Sequence, residues 1–385
     1  MEDQQGPSGT STAKATVKIL RSADSWIEGE ALRQLQVTAE LPGMRAAFGM
    51  PDLHPGRGHP IGAAFLADGI IYPYLVGSDI GCGMALFATG IASRKAKRDR
   101  WVKDLNIDGI WQDDEAKDAI LDRHGVAKDQ FRTSLGTIGG GNHFAELLSI
   151  DKVVDTEAFT GAGLDKGMLY LLVHSGSRGL GDDILRSHTA RFGAAGLKAA
   201  SDDGLAYLSR HDEAVRWAAA NRSAIAQRFA EQIGFTPEPL LDLCHNSVTD
   251  IGGYWCHRKG AAPHAGNLVV VPGSRGTLSY LISPRGTAAE FGYSLPHGAG
   301  RKWSRADARS RLRDRYRVAD LQKTALGGAV ICEDKDLLFE EAPDAYKNIA
   351  TVAADLVANG MGAIVATLRP LITYKMRQEQ YGDED

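Results

Sequence analysis

Met168-Leu169-Tyr170-Leu171-Leu172-Val173-His174-Ser175 is a run of apolar residues that leads directly into a histidine. A short apolar run between glycines is typical of a buried strand. We therefore expect a strand over 168–173 that presents His174 at its end, because rigid strands often carry functional side chains at their tips. Similar runs recur along the chain at 69–74, 268–271, 277–282, 329–332 and 363–368.

Helical patterns fall between these predicted strands. Residues 212–233 carry apolar positions three and four apart and are followed by Gly234, a typical C-cap. Ser304 begins a capping-box pattern that predicts a basic helix over 305–317, and another helix is predicted over 346–359. The strands and helices do not alternate as in a doubly wound parallel sheet. The sequence therefore predicts an α+β fold.

The composition is that of an ordinary globular protein. The 385 residues are 43% hydrophobic and 24% charged, enough for one large or two medium domains. A polar N-terminus and the lack of a long apolar run predict a soluble cytoplasmic protein with no membrane contact. The four cysteines are too dispersed for a zinc clip and too few for a disulfide framework, which favours a reducing compartment.

Basic residues form two local clusters although the net charge is −4. One cluster spans 94–103 and the other spans 301–317. A solvated helix face is the ordinary interpretation of such a cluster. The second cluster begins shortly after His297, a candidate functional residue discussed below, and this favours contact with nucleic-acid phosphates there. For the first cluster both interpretations stay open.

The glycine-rich stretch 136–141 resembles a nucleotide loop only superficially. It has neither the GxGxxG spacing of a dinucleotide site nor the GK[ST] ending of a P-loop. We interpret it as a tight turn that presents Asn142 and His143.

Cysteine, aspartate and histidine residues recur in short runs that together predict one metal site. A single histidine is more often structural, so the prediction depends on the ordered set. Asp, Cys and several His ligands suit Mn, Zn, Fe or Co, and ligand identity alone does not choose among them. The runs are Asp79-Ile80-Gly81-Cys82-Gly83, Gly141-Asn142-His143-Phe144, Val173-His174-Ser175-Gly176-Ser177-Arg178, Cys244-His245-Asn246 and Leu295-Pro296-His297-Gly298-Ala299-Gly300-Arg301.

In their order and flanking residues, these runs resemble the RtcB-type RNA ligases over about residues 24–375. The resemblance implies a single domain over 15–378 with a mixed or antiparallel, sandwich-like sheet core surrounded by helices. A flexible N-terminal tail (1–14) and an acidic C-terminal tail (379–385) would flank it. It also implies GTP as the nucleotide, a pair of manganese ions, and joining of RNA 3′-phosphate or 2′,3′-cyclic phosphate ends to 5′-hydroxyl ends.

The resemblance assigns roles to individual residues. His297 would be the nucleophile that carries GMP, and Asp52, in a further family-like run, would help to activate the RNA hydroxyl. The metal ligands would be Asp79, Cys82, His143, His174 and His245. The guanylate pocket would comprise Asn142, Phe144, Glu146, Asn246, Ser274, Ser279, Ala299, Gly300, Tyr346 and Lys375. The RNA phosphates would contact Arg178, Arg301 and Arg305.

Departures from the family pattern favour a divergent branch, one that serves RNA repair rather than tRNA splicing. They are Asp183 in a run where a histidine is common, Arg275 where methionine is common, and Pro296 before the nucleophile. The RNA partner, tRNA halves or broken rRNA, and the need for an accessory activator stay open. We expect a monomer.

Two alternative functions are a cyclic phosphodiesterase and an RNA-binding partner protein. A metal-dependent cyclic phosphodiesterase without ligase activity would not need guanine contacts such as Glu146 and Lys375. A non-catalytic RNA-binding partner would have no reason to keep all the ligand types together with His297.

Overall fold

The computed structural model describes residues 14–23, 25–266 and 268–377. The predicted N-terminal tail, apart from Lys14, and the predicted C-terminal tail lie outside the described residues. Within the described ranges, every helix is either too short or too polar to span a lipid bilayer.

The strands alternate irregularly with the helices. In chain order the strands are β1 (Thr16–Ile19), β2 (Met44–His54), β3 (Ile61–Ala67), β4 (Ile70–Ile71), β5 (Gly83–Ala92), β6 (Phe144–Val153), β7 (Met168–Ser175), β8 (Leu197–Lys198), β9 (Glu238–Cys244), β10 (Asn246–Asp250), β11 (Trp255–Lys259), β12 (Ala261–Pro263), β13 (Val269–Val271), β14 (Ser279–Pro284), β15 (Ser294–Pro296), β16 (Ala329–Cys332) and β17 (Gly362–Met376).

The helices range from single turns to one helix of 32 residues. In chain order they are α1 (Gly29–Ala39), α2 (Pro73–Val76), α3 (Arg98–Asp104), α4 (Asp114–His124), α5 (Thr156–Gly161), α6 (Gly179–Phe192), α7 (Asp202–Ile233), α8 (Arg305–Arg313), α9 (Val318–Leu321), α10 (Lys335–Glu340) and α11 (Ile349–Ala358).

Two large sheets form the framework. The larger has eight strands in the order β13-β14-β17-β6-β7-β5-β9, with β16 beside β17, and the second has the order β1-β2-β3-β11-β10. Neighbouring strands are antiparallel except in the parallel pairs β1–β2 and β16–β17. This mixed, mainly antiparallel arrangement confirms the predicted α+β class.

Strand β7 lies inside the larger sheet and is buried on both faces. Its residues alternate between two hydrophobic clusters, as the twofold period of a strand requires. Leu171 and Val173 pack towards Phe229 of α7, whereas Tyr170 and Leu172 face the opposite side. The strand prediction for 168–173 is confirmed. By the same alternation, His174 lies on the face of Tyr170 and Leu172.

The two sheets share one core. Phe48 and Leu66 of the five-stranded sheet belong to the same cluster as Val271 and Ile282 of the larger sheet, and Val352 of α11 joins them. The core therefore lies between the sheets, as expected for the predicted sandwich-like arrangement.

Helix boundaries differ from the sequence pattern where caps decide them. Helix α7 begins at Asp202, about three turns before the predicted start, because the Ser201 hydroxyl accepts a hydrogen bond from the Gly204 amide (3.2 Å). Its end at Gly234, in the left-handed conformation (φ 83°), is confirmed. Helix α11 begins after Asn348 rather than at 346, because the Asn348 side chain caps the Ala350 amide.

Two further differences concern the predicted strand over 69–74 and the end of the basic helix. The predicted strand over 69–74 is divided into β4 and α2, since Pro73 sits in the first turn of a helix. The basic helix begins at Arg305 with Ser304 as N-cap, as predicted, but α8 ends at Arg313 and a new turn, α9, follows.

Candidate metal centre and adjoining pocket

The sheet topology brings four of the predicted metal ligands to the same end of neighbouring strands in the larger sheet. Strands β6, β7, β5 and β9 are consecutive antiparallel neighbours. His143 precedes β6, His174 lies at the end of β7, Cys82 precedes β5 and His245 follows β9. Because antiparallel neighbours alternate in direction, the starts of β6 and β5 and the ends of β7 and β9 all lie at the same end of the sheet.

The side chains converge closely. The Cys82 Sγ atom lies 3.3 Å from His143 Nε2 and 3.1 Å from His174 Nε2. His174 Nε2 lies 3.3 Å from His245 Nε2, and the Asp79 carboxylate lies 3.0 Å from His143 Nε2. The predicted ligands form two overlapping triads that share Cys82, and the ligand atoms within each triad lie within 4.8 Å of one another.

Backbone carbonyls fix the orientation of two of the histidine rings. His143 Nδ1 donates to the Ile138 carbonyl and His174 Nδ1 to the Asn142 carbonyl, both at 3.1 Å. With Nδ1 donating to a carbonyl, each Nε2 points into the cluster, the arrangement usual for metal-binding imidazoles. Ile138 belongs to the glycine-rich turn, so this turn does orient His143.

The electrostatics of the cluster fit a cation. Burial lowers the pKa of His174 and His245 well below the ordinary histidine value, so both imidazoles are neutral. Burial opposes ionisation of Asp79, but the adjacent His143 outweighs it and holds the pKa of that carboxyl low. Burial and Asp79 raise the pKa of the Cys82 thiol, and coordination to a cation would favour the thiolate. Imidazole, carboxylate and thiolate together suit a borderline divalent metal.

Two side chains of helix α7 hold backbone segments near the cluster in place through hydrogen bonds. Arg222, 1% exposed, pairs with Asp242 and donates to the carbonyls of Gly81 (2.8 Å) and Ser175 (2.9 Å). Its neighbour Asn221 donates to backbone carbonyls on both sides of the cluster. The sequence did not single out either residue. Arg222 thus joins the segments that carry Cys82 and His174, and Asn221 joins the His174 segment to the glycine-rich turn.

We expect Arg222→Met to lower the affinity for divalent metal by about 10- to 100-fold, the usual cost of losing a partner that orients ligands. The variant keeps every ligand but releases the Gly81 and Ser175 carbonyls. Titration with Mn²⁺ measures the effect. Arg216→Met, on the exposed face of the same helix, is the matched control, and equal affinities for both variants would contradict the supporting role.

His297 lies beside this cluster, directly after β15. Its ring centroid is 4.8 Å from that of His245. Asp52, fully buried, accepts hydrogen bonds from His297 Nδ1 (2.6 Å) and from the His297 amide (3.2 Å). The carboxylate thus holds the proton on Nδ1 and leaves Nε2 with its lone pair. Gly300 packs against the Asp52 carbonyl so closely that a side chain would overlap it.

A cavity that is open to solvent lies next to His297 and His174. It gathers most of the residues that the sequence proposed for the nucleotide and RNA. The predicted residues that line it are Asn142, Phe144, Glu146, Ser274, Ala299, Gly300, Tyr346, Lys375, Arg301 and Arg305.

Three other predicted residues lie outside the lining of this cavity. Asn246 donates to the Asp79 carbonyl and accepts from the Gly260 amide. Ser279 is buried at the start of β14. The Arg178 side chain lies against the glycine-rich turn, where Nε is 3.3 Å from Thr137 Oγ1.

One wall of the cavity holds a buried carboxyl and a buried amine. Burial raises the pKa of Glu146 to about 7, and its Oε1 accepts from the Thr373 hydroxyl at 2.5 Å. Burial lowers the pKa of Lys375 to about 8, and its Nζ donates to the carbonyls of Gly141 (2.5 Å) and His143 (3.0 Å). Thr373 was not predicted. Thr373 precedes the core residue Tyr374 in β17, so the two side chains point to opposite faces of the strand. The twofold period of a strand could therefore have indicated that Thr373 faces the cavity.

The basic cluster over 301–317 is largely paired within the protein. Glu341, buried and not foreseen, contacts both Arg301 (3.0 Å) and Arg305 (3.4 Å). Arg309 and Arg313 pair with Asp336. The acids follow the arginines by about 20 to 40 residues, so a local charge count could not include them. RNA contact by Arg301 and Arg305 stays a prediction.

Comparison with known proteins supports the sequence resemblance. The family model described as tRNA-splicing ligase RtcB matches residues 34–109 and 106–376. The RNA-splicing ligase RtcB2 of Escherichia coli is 49% identical, over 92% of this chain and 94% of its own. The RNA-splicing ligase RtcB of Mycobacterium tuberculosis is 29% identical over 88% and 99%. The tRNA-splicing ligase RtcB of Archaeoglobus fulgidus is 29% identical over 90% and 91%.

Proposed function

Because the chain belongs to the RtcB family, we propose that it is an RNA ligase that uses GTP. It joins an RNA 3′-phosphate or 2′,3′-cyclic phosphate end to a 5′-hydroxyl end. The observation that carries this proposal is the position of His297, which lines the cavity, adjoins the ligand cluster and has its Nδ1 held by Asp52.

In the first step His297 Nε2 attacks the α-phosphorus of GTP. A phosphorus–nitrogen bond forms, the bond to the β-phosphate oxygen breaks, and pyrophosphate leaves. Neutral imidazole is nucleophilic near pH 7 and needs no base to remove a proton from the attacking atom. Asp52 stabilises the positive charge that develops on the ring through its hydrogen bond to Nδ1. We therefore assign Asp52 to positioning His297 rather than to the RNA hydroxyl.

In the later steps the guanylate passes to RNA. The RNA 3′-phosphate attacks the GMP held on His297, which restores the imidazole and leaves an RNA-ppG end. The 5′-hydroxyl of the second strand then attacks the RNA phosphorus, so that the phosphodiester forms and GMP leaves. A cyclic phosphate end is first opened by water in the same site.

Asp79, Cys82, His143, His174 and His245 would hold manganese, in agreement with the family resemblance. Bound cations would polarise the phosphate and offset the charge that builds as pyrophosphate leaves. His297 and the residues proposed for the base line the same cavity beside this cluster.

The base pocket favours guanine. Glu146 can accept hydrogen bonds from guanine N1–H and the N2 amine, and adenine offers no such pair of donors there. Phe144 and Tyr346 line the same cavity and offer ring faces for stacking. A cyclic phosphodiesterase would have no need for these groups, which is why we prefer ligase activity. A non-catalytic RNA-binding protein would not need His297 and the ligand cluster together.

A ligation assay tests the proposal. An RNA with a 3′-phosphate or cyclic phosphate and an RNA with a 5′-hydroxyl are incubated with protein, GTP and Mn²⁺. We expect a joined product that depends on GTP. Opening of the cyclic phosphate without joining would instead establish the phosphodiesterase. Comparison of broken tRNA with broken rRNA, with and without cell extract, identifies the substrate and any activator.

We expect the affinity for guanosine to fall as the pH drops through 7. Glu146 binds guanine as the carboxylate, and its pKa is about 7, so protonation competes with binding. The affinity should be roughly eightfold lower at pH 6.0 than at pH 7.5. Guanosine is the suitable probe because it has no phosphate to titrate, and calorimetry without added metal measures its binding.

Glu146→Gln should bind guanosine weakly and with no such pH dependence. Glu157→Gln, an exposed glutamate on α5, is the control and should keep the wild-type profile. An unchanged pH dependence in Glu146→Gln would assign the titration to another group.

A further inference from the structure

Arg275 is a buried cation whose hydrogen bonding is incomplete within the described residues. Its side chain lines the cavity although the residue is only 7% exposed. Nη2 donates to the Leu338 carbonyl at 2.7 Å, whereas the buried Nη1 has no hydrogen-bond partner among the residues that the structure describes. A charged donor buried without an acceptor is costly. An acceptor supplied by a ligand would remove that cost.

The position of Arg275 identifies the part of the ligand that it faces. It interacts electrostatically with Cys332, Glu341 and Tyr346, and it lies close enough to influence Lys375. His297, by contrast, interacts with His54, His174 and His245. Arg275 therefore belongs to the base end of the cavity and not to the end where the phosphates meet the ligand cluster.

The neighbouring groups leave this donor available. The Glu341 carboxylate contacts Arg301 and Arg305 and accepts from the Tyr346 hydroxyl. Lys375 Nζ already donates to two backbone carbonyls. A ligand in the cavity can therefore supply the group that Arg275 Nη1 binds, and that group must be an acceptor.

We propose that Arg275 recognises the O6 and N7 acceptors of guanine and so selects guanine over adenine. This inference rests on the proposed function. A guanidinium matches the paired O6 and N7 acceptors, and adenine places an amine donor in the position of O6. Glu146 would then accept hydrogen bonds from the N1–H and N2 donors of guanine, and Arg275 would donate to its O6 and N7 acceptors.

The test compares wild type, Arg275→Met and Arg275→Lys with four nucleotides. These are GTP, 7-deaza-GTP without N7, 2-aminopurine riboside triphosphate without O6, and ATP. Affinities are measured by competition against labelled GTP for formation of the covalent adduct, and thermal unfolding verifies that each variant is folded. Arg275→Met should bind GTP about 5- to 100-fold more weakly, and its preference for GTP over ATP should shrink.

The analogues decide between recognition and general packing. If Arg275 donates to N7 or to O6, the analogue that lacks that atom should bind wild type and Arg275→Met with equal affinity. The substitution and the analogue then remove the same hydrogen bond, so combining them costs nothing further. Arg275→Lys keeps the positive charge but loses the paired donors of the guanidinium, so it should lose most of the preference for guanine. It replaces Arg275→Met in the comparison if the methionine variant does not fold. Equal weakening for all four nucleotides, or unchanged discrimination, would overturn the role of Arg275. Absence of a guanylate adduct in wild type would refute the proposed function itself.

Discussion

His297→Ala should abolish the covalent attachment of GMP, with a loss of at least about four orders of magnitude in adduct formation. No other imidazole can replace it in this geometry. His174 and His245 have their Nε2 atoms 3.3 Å apart within the ligand cluster, and His54 Nδ1 contacts the Asp52 carbonyl. The measurement is incubation with GTP labelled in the α-phosphate and Mn²⁺, followed by denaturing electrophoresis. Because His297 is not one of the proposed ligands, the variant should still bind metal.

The control for this experiment is His264→Ala, the same substitution outside the site. His264 contacts the Arg285 carbonyl near Phe291, and its loss should leave labelling intact. Label that persists in His297→Ala would show that another residue is the nucleophile. Loss of metal from His297→Ala would instead show that this imidazole is a ligand.

Cys82→Ala should lower the affinity for divalent metal by more than about 100-fold and remove ligation with it. The loss of a partner that merely orients a ligand costs about 10- to 100-fold, and Cys82 belongs to both triads of the cluster. Its sulfur lies within 3.3 Å of both His143 and His174, so its removal takes away the donor that the triads share. Metal content after dialysis against Mn²⁺ and ligation rate are the two measurements.

Cys256→Ala is the matched control for that variant. Cys256 is also a buried free cysteine, but it packs in the core between the two sheets. We expect a modest loss of stability and no loss of metal. Full metal binding by Cys82→Ala would mean that the histidines and Asp79 suffice and that the thiolate does not bridge the triads.

The local pattern of the sequence was enough to identify several elements. The strands over 168–173 and 329–332 and the capped start of α8 are confirmed, because apolar runs and caps act over a few residues. Helix ends were less predictable. The start of α7 depended on the Ser201 cap, and α11 began later than predicted because Asn348 caps it.

The sequence also supplied the ligand types of the candidate site, since the runs around Cys82, His143, His174 and His245 could be recognised together as an ordered set. It could not show the partners of these residues. Asp52 reaches His297 across 245 residues, and Glu341 reaches Arg301 across 40. Such contacts depend on sheet topology and not on spacing along the chain.

The sequence alone therefore determined which chemical groups are available, because residue identity fixes what can ligate, attack or donate. Only the tertiary structure decided which of these groups meet. The antiparallel order β6-β7-β5-β9 collects the ligands at one end of the sheet, the buried Asp52 selects the free nitrogen of His297, and burial sets the charge of Glu146. Convergence, tautomer and ionisation are properties of three-dimensional surroundings, and no single segment of the chain contains them.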